Sequence, residues 1–152
     1  EEIAIGLVRI VAGQAPLVDV PSRAAPRQAR MINAAKAFLN ARLEHNLGLA
    51  DIARDVGSSP YHLMRMFRAE TGQSVRGYRA RLRVAAALTA IVEGSDDLTQ
   101  LALEVGFASH SHLTDTFRSV LGVTPSQLRR DLGCEALIEK RRFLEASLAA
   151  AA

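Results

Sequence analysis

Val56-Gly57-Ser58-Ser59-Pro60-Tyr61-His62-Leu63-Met64-Arg65-Met66-Phe67-Arg68 is a turn running into a helix. Ser59 suits the N-cap, where a hydroxyl accepts a backbone N–H left free at the helix start. Pro60 suits the first helical position, where its missing N–H costs nothing. Leu63, Met66, Phe67 and Glu70 recur at helical spacing on one mostly apolar face. Tyr61, Arg65 and Arg68 lie opposite, with His62 and Met64 on the flanks. Upstream, Leu49 to Val56 forms a short amphipathic helix that stops at Gly57. A short helix, a tight glycine turn and a capped second helix with a basic outer face make a helix-turn-helix.

The stretch occurs twice. Leu49, Ala53, Val56 and Gly57 return 49 residues later as Leu98, Ala102, Val105 and Gly106. After one inserted residue in the turn, Ser59, His62, Leu63, Phe67, Arg68, Gly72 and Arg79 return as Ser109, His112, Leu113, Phe117, Arg118, Gly122 and Arg129. Two copies predict a tandem pair and not a solenoid. The copies share a scaffold but differ in charge. Between positions 60 and 83 there are six Arg and one Glu, net +5; between 95 and 120 there are four acids and one Arg, net −3.

The 152 residues suffice for one sizeable domain or two small lobes. With 49% apolar and 23% charged residues the composition is that of an ordinary globular chain. No apolar run approaches the ~18 residues of a membrane span, and positions 3–11 are too short and too acidic upstream for a signal peptide. The single cysteine, Cys134, permits no internal disulfide and fits a reducing compartment. A net charge of +3 does not by itself establish a nucleic-acid partner.

Residues 1–14 are apolar at roughly helical spacing, and 15–26 carry three prolines as a linker. Residues 27–46 form a helix with Ile32, Ala35, Phe38, Leu39 and Leu43 on its buried stripe. A further helix of about 20 residues follows at 74–93, capped by Ser74 and spanning ~30 Å. Thr124-Pro125 starts another helix, Gly133 breaks it, and 135–151 is a last amphipathic helix. No segment alternates as a strand does, so the fold class is all-α.

With both repeats in place, the chain resembles the DNA-binding domain of the AraC/XylS family of bacterial transcription regulators. The first half carries this in Asp51-Ile52-Ala53, Val56-Gly57, Ser59-Pro60, Leu63, Phe67, Gly72, Tyr78 and Arg83. The second carries it in Leu101-Ala102, Val105-Gly106-Phe107, Ser111, Phe117, Gly122-Val123-Thr124-Pro125-Ser126 and Arg129. The resemblance covers about residues 29–132. It implies a homeodomain-like tandem of two helix-turn-helix subdomains, at 27–73 and 95–133, joined by a connecting helix at 74–94. Residues 134–152 then form a C-terminal helix, and 1–26 end a sensing and dimerising domain and its linker. It further implies a sequence-specific regulator whose two recognition helices enter successive major grooves of double-stranded DNA. RNA polymerase is a further implied partner, with dimerisation through the upstream domain, no membrane, and a cytoplasmic, nucleoid-associated location.

The family's base contacts in the first recognition helix map onto Tyr61, Met64 and Arg65. Arg65 is the best base reader, because a bidentate Arg–guanine pair is the commonest specific contact. In the second helix the corresponding base contacts are His110, Ser111, Thr114 and Asp115. Asp115 departs from the basic residue that many members carry, and an aspartate repels phosphates even where it can accept from cytosine. Phosphate contacts are expected from Ser59, Arg68, Arg76, Arg79, Arg81, Ser109 and Arg118, while Arg83 is a candidate anchor of the connecting helix. His110 and His112 point in different directions along a helix, with no Cys or acid at ligand spacing, so no metal site is expected. No catalytic constellation or phosphate loop is present, so neither enzymatic activity nor a cofactor is expected. The rival from another class is a tandem helix-turn-helix interaction module that no longer reads DNA, supported only by the acidic second repeat.

Overall fold

The computed structural model describes residues 25–131, together with the isolated positions 142 and 146. The expected upstream tail, Cys134 and the helix at 135–151 lie outside this range. Among the described residues 25–131, seven helices follow one another: α1 (Ala25–Ala41), α2 (Leu49–Asp55), α3 (Pro60–Thr71), α4 (Val75–Val92), α5 (Leu98–Glu104), α6 (His110–Leu121) and α7 (Pro125–Asp131). Among the described residues there is no strand, and no helix is long and apolar enough to cross a membrane. The all-α expectation is borne out.

The helix ends lie where the local chemistry puts them. The Ser59 hydroxyl accepts from the His62 N–H at 3.2 Å, and Ser109 does the same for His112 at 3.2 Å. Ser74 accepts from Gly77 N–H, and Asp97 from Thr99 and Gln100 N–H. Thr124 and Gln127 form a reciprocal capping box at the start of α7. Gly72 and Gly122 close α3 and α6 in the left-handed conformation, at φ 71° and 76°. The expected helix 27–46 stops at Ala41 instead, and positions 42–48 form a turn and loop. There the His45 N–H donates to the Arg42 carbonyl, and the carbonyls of Leu43, His45 and Leu47 accept from arginines of α4.

Two separate cores result. The first gathers Ile32, Ala35 and Leu39 from α1, Ile52 and Ala53 from α2, Leu63 and Phe67 from α3, and Val75, Tyr78 and Leu82 from α4. The second gathers Val84, Ala87, Leu88 and Ile91 from α4 with residues of α5, α6 and α7 and the turn after α5, Phe117 among them. α4 therefore does more than connect. Its first half seals one lobe and its second half seals the other, with the change of allegiance between Leu82 and Val84. Its 18 residues span about 27 Å. At the point of change sits Arg83, only 5% exposed.

The repeat extends to the arginines. Arg79 donates through Nη1 to the Leu47 carbonyl at 2.6 Å, just before α2. Arg129, its counterpart, donates to the Ser95 and Asp96 carbonyls, just before α5. Each guanidinium ties the helix after its helix-turn-helix unit back to the loop before that unit, so both repeats close the same way. A hydrogen bond from a charged donor contributes about 1.5–3 kcal/mol.

Candidate nucleic-acid interface

α3 and α6 are the second helices of the two helix-turn-helix units. Each buries one stripe, Leu63 and Phe67 on α3 and Leu113, Phe117 and Leu121 on α6, and turns the rest outward. The turn before each requires a glycine in the left-handed region, Gly57 at φ 64° and Gly106 at φ 87°.

On α3 that face is Tyr61, Met64, Arg65 and Arg68, all exposed. Tyr61 at 68% and Met64 at 44% exposure are two of the three large apolar side chains most open to solvent among the described residues. Neither fills the core, so their exposure is not explained by folding. Arg65 follows Met64 and stands one turn after Tyr61, with Arg68 near the next turn; neither arginine has a hydrogen bond or ion pair to another described side chain. Arg76 projects at the start of α4 and is likewise exposed. The face therefore offers two apolar surfaces and three unpaired cations.

On α6 the picture differs. His110, Ser111, Asp115 and Arg118 are exposed. Thr114 is half-buried, and its hydroxyl oxygen is covered and unpartnered. The helix that carries the counterpart of Met64 thus withdraws that position from solvent. Asp115 lines a shallow groove of about 410 Å³ between α4 and α6, whose wall also includes Gly77, Ala80, Arg81, Thr116 and Ser119. Arg81 and Asp115, opposite charges from the two halves of the chain, share this groove without an ion pair.

Of the six arginines counted between positions 60 and 83, two face inward. Arg79 was expected at a phosphate; the structure gives it the Leu47 carbonyl, half-buried. Arg83 donates to the Leu43 and His45 carbonyls at 2.9 and 3.0 Å. Burial, and next the charge of the neighbouring Arg79, lower the pKa of Arg83; burial and Arg76 lower that of Arg79. The carbonyl acceptors offset that desolvation. Their recurrence was the available signal: Arg79 returns as Arg129 in a repeat of opposite net charge, which marks a scaffold role. Ser59 and Ser109, also expected at phosphates, are exposed caps whose hydroxyls already accept a backbone N–H. Each keeps its own O–H as a free donor.

Among the described residues no group of three His, Cys, Asp or Glu is placed to hold a metal. His112 packs its ring edge against Phe107, with centroids 5.2 Å apart. It serves the α5–α6 turn.

A family model described as a helix-turn-helix domain matches residues 52–131. The chain is 32% identical over 92 residues to the multiple antibiotic resistance protein MarA of Escherichia coli, covering 60% of this chain and 72% of MarA. It is 28% identical over 102 residues to the HTH-type transcriptional activator AarP of Providencia stuartii, covering 67% of this chain and 76% of AarP. In three dimensions it is similar to an AraC-type transcriptional regulator from Chromobacterium violaceum, with TM-score 0.63 and 29% identity, over 67% of this chain and 91% of that one. The DNA-binding domain of AdpA, solved with a target DNA, shares the fold at TM-score 0.61 and 23% identity, over 65% of this chain and 89% of that one.

Proposed function

The chain belongs to the AraC/XylS family of helix-turn-helix transcription regulators, and we propose that it reads double-stranded DNA with α3 and α6 in successive major grooves. The observation that carries this is the α3 face: exposed Tyr61 and Met64 around a free Arg65, flanked by Arg68 and Arg76. Phosphate attraction from the flanking arginines draws the helix down, and Arg65 meets a guanine edge. Tyr61 and Met64 supply apolar contact to thymine methyls. α4 spans about 27 Å, close to the ~34 Å between successive major grooves on one DNA face. His110, Ser111 and Arg118 make the second helix's contacts, with Thr114 the weakest contributor because its hydroxyl is covered.

Selection of bound sites from random duplex DNA tests this, followed by footprinting of the selected duplex. The expected footprint is non-palindromic, with two protected patches about one turn apart. A single patch, or no enriched sequence, would rule out the two-groove arrangement.

Salt dependence separates DNA reading from a protein-interaction module. Arg68, Arg76, Arg81 and Arg118 carry the proposed phosphate contacts. Four released counterions give a slope of log K against log salt of about −3.6. A slope near zero would favour the interaction module.

Ser59 offers a finer test, because it combines a cap with a proposed phosphate contact. Ser59→Ala should cost about 0.5–2 kcal/mol of stability. Ser59→Asp should keep the cap, since aspartate caps as well as serine, yet weaken DNA binding by placing a negative charge at a phosphate. Urea denaturation and binding isotherms on the same two variants read the two effects apart. Equal affinity for wild type and Ser59→Asp would remove Ser59 from the interface.

A further inference from the structure

The two lobes do not merely share α4. They touch where Arg83 leaves it, and the contact is made largely of backbone. Arg83 donates to the carbonyls of Leu43 and His45 in the loop after α1, within the first lobe. Its guanidinium carbon lies 5.8 Å from the centroid of the Phe107 ring, in the α5–α6 turn of the second. Gly106, beside Phe107, is seated directly against the same loop. A Cβ on Gly106 would lie 2.7 Å from Arg83 Nη2, 2.7 Å from the Leu43 carbonyl oxygen and 2.8 Å from the Glu44 carbonyl oxygen. Arg83 could swing aside, but the two carbonyls belong to the main chain.

The repeat supplies a built-in comparison. Gly57 occupies the same turn in the first unit, also at positive φ, and nothing lies within 4 Å of its added Cβ. Gly57 therefore answers a conformational need alone, whereas Gly106 answers that need and a close approach between lobes.

We propose that Arg83 and Gly106 form an interlobe lock that fixes the separation and angle of α3 and α6, and so selects the spacing between the two DNA half-sites. Neither touches DNA; both are positioning residues. The selection of spacing rests on the two-groove reading above, while the lock itself does not. With the lobes locked, the second helix is delivered to its groove without a further ordering cost. With the lock open, α4 still joins the lobes, but the second helix samples a range of positions and the preference for one spacing flattens.

Two measurements test it on the full chain. The first needs no DNA. Ala69→Cys on α3 and Ser126→Cys on α7 are exposed label sites, introduced with Cys134→Ser so that only two thiols remain. The distribution of distances between spin labels should be narrow in the otherwise wild-type protein and in Gly57→Ala. It should shift or broaden in Gly106→Ala and in Arg83→Met, with Arg83→Lys intermediate, since one ammonium cannot reproduce the fork. Gly57→Ala controls for strain at a positive-φ turn, and far-UV circular dichroism confirms that each variant is folded. An unchanged narrow distribution in both Gly106→Ala and Arg83→Met overturns the lock.

The second measurement uses duplexes in which the selected half-sites are moved apart or together by one and two base pairs. Wild type and Gly57→Ala should favour one spacing by on the order of tenfold. Gly106→Ala should lose that preference while binding a duplex with only the first half-site within twofold of wild type. A Gly106→Ala variant that keeps the sharp spacing preference overturns the specificity role. Distances that move in Gly106→Ala beside a wild type indifferent to spacing overturn the two-groove reading and leave the lock standing.

Discussion

Replacing Phe67 with alanine should cost about 3–5 kcal/mol of stability, the upper range for deleting a buried aromatic. Phe67 is fully buried and, with Leu63, seats α3 in the first core. Its ring meets the Tyr78 ring edge-on, with centroids 5.3 Å apart and planes at 74°. Such a pair adds about 0.5–1.5 kcal/mol beyond the area buried. The surrounding core side chains are already packed, so the void closes only in part. A small domain has a total stability of only about 5–15 kcal/mol, and the loss therefore consumes much of it. Phe117 is the counterpart in the second lobe and equally buried, but it has no aromatic partner of its own. Phe117→Ala should accordingly be the milder of the two by the aromatic increment. Urea denaturation followed by circular dichroism reads both. A loss below about 1 kcal/mol at Phe67 would mean that the first core is not organised around it.

That prediction was available from the repeat alone, and so was much of the fold. Phe67 and Phe117, Leu63 and Leu113, and Ala53 and Ala102 recur because the same pocket recurs, and all six are buried. The caps were legible for a different reason. Ser59-Pro60, Ser74 and Thr124-Pro125 act within one turn of themselves, so the residues that make the bond are neighbours in sequence. What was not legible depends on partners far along the chain. Arg83 and its acceptors are separated by 40 and 38 positions. The acceptors are main-chain carbonyls, which any residue supplies, so no side chain announces them. The sequence likewise sets the end of α1 too late, since the loop at 42–48 is tied down by these bonds to α4, 32 to 40 positions away. A charge count over positions 60–83 does not separate arginines open to a partner from those with acceptors inside the protein. Two of them, Arg79 and Arg83, are occupied within the protein. The family resemblance had marked Arg83 as an anchor; the residues around it carried no such sign.

The outward residues of the two recognition helices lead to a second large effect: Arg65→Ala should weaken specific binding far more than Asp115→Ala. Both residues stand three positions after the histidine of their repeat, His62 or His112, and both are exposed. Their surroundings differ. Arg65 shares its helix face with exposed Arg68, Tyr61 and Met64, and Arg76 at the start of α4 is exposed too; neither Arg68 nor Arg76 is committed to another described residue. In the proposed complex, phosphate attraction brings this helix close enough for a guanidinium to bond a guanine edge in two places. Removing that pair should cost about 1–3 kcal/mol and relax the sequence preference at one position of the first half-site. Asp115 meets a duplex that carries one negative charge per ~1.7 Å of axis. Arg81 lines the same groove between α4 and α6 as Asp115 without pairing to it. Asp115→Ala removes a repulsion, so affinity should stay level or rise. If Asp115 accepts from a cytosine amino group, the loss is confined to duplexes that carry that base pair. Binding isotherms for both variants, on the selected site and on single-base changes of it at one fixed salt, distinguish these outcomes. A uniform loss for Asp115→Ala equal to that of Arg65→Ala would show that the two helices contribute alike and that the charge difference between the repeats has no part in recognition.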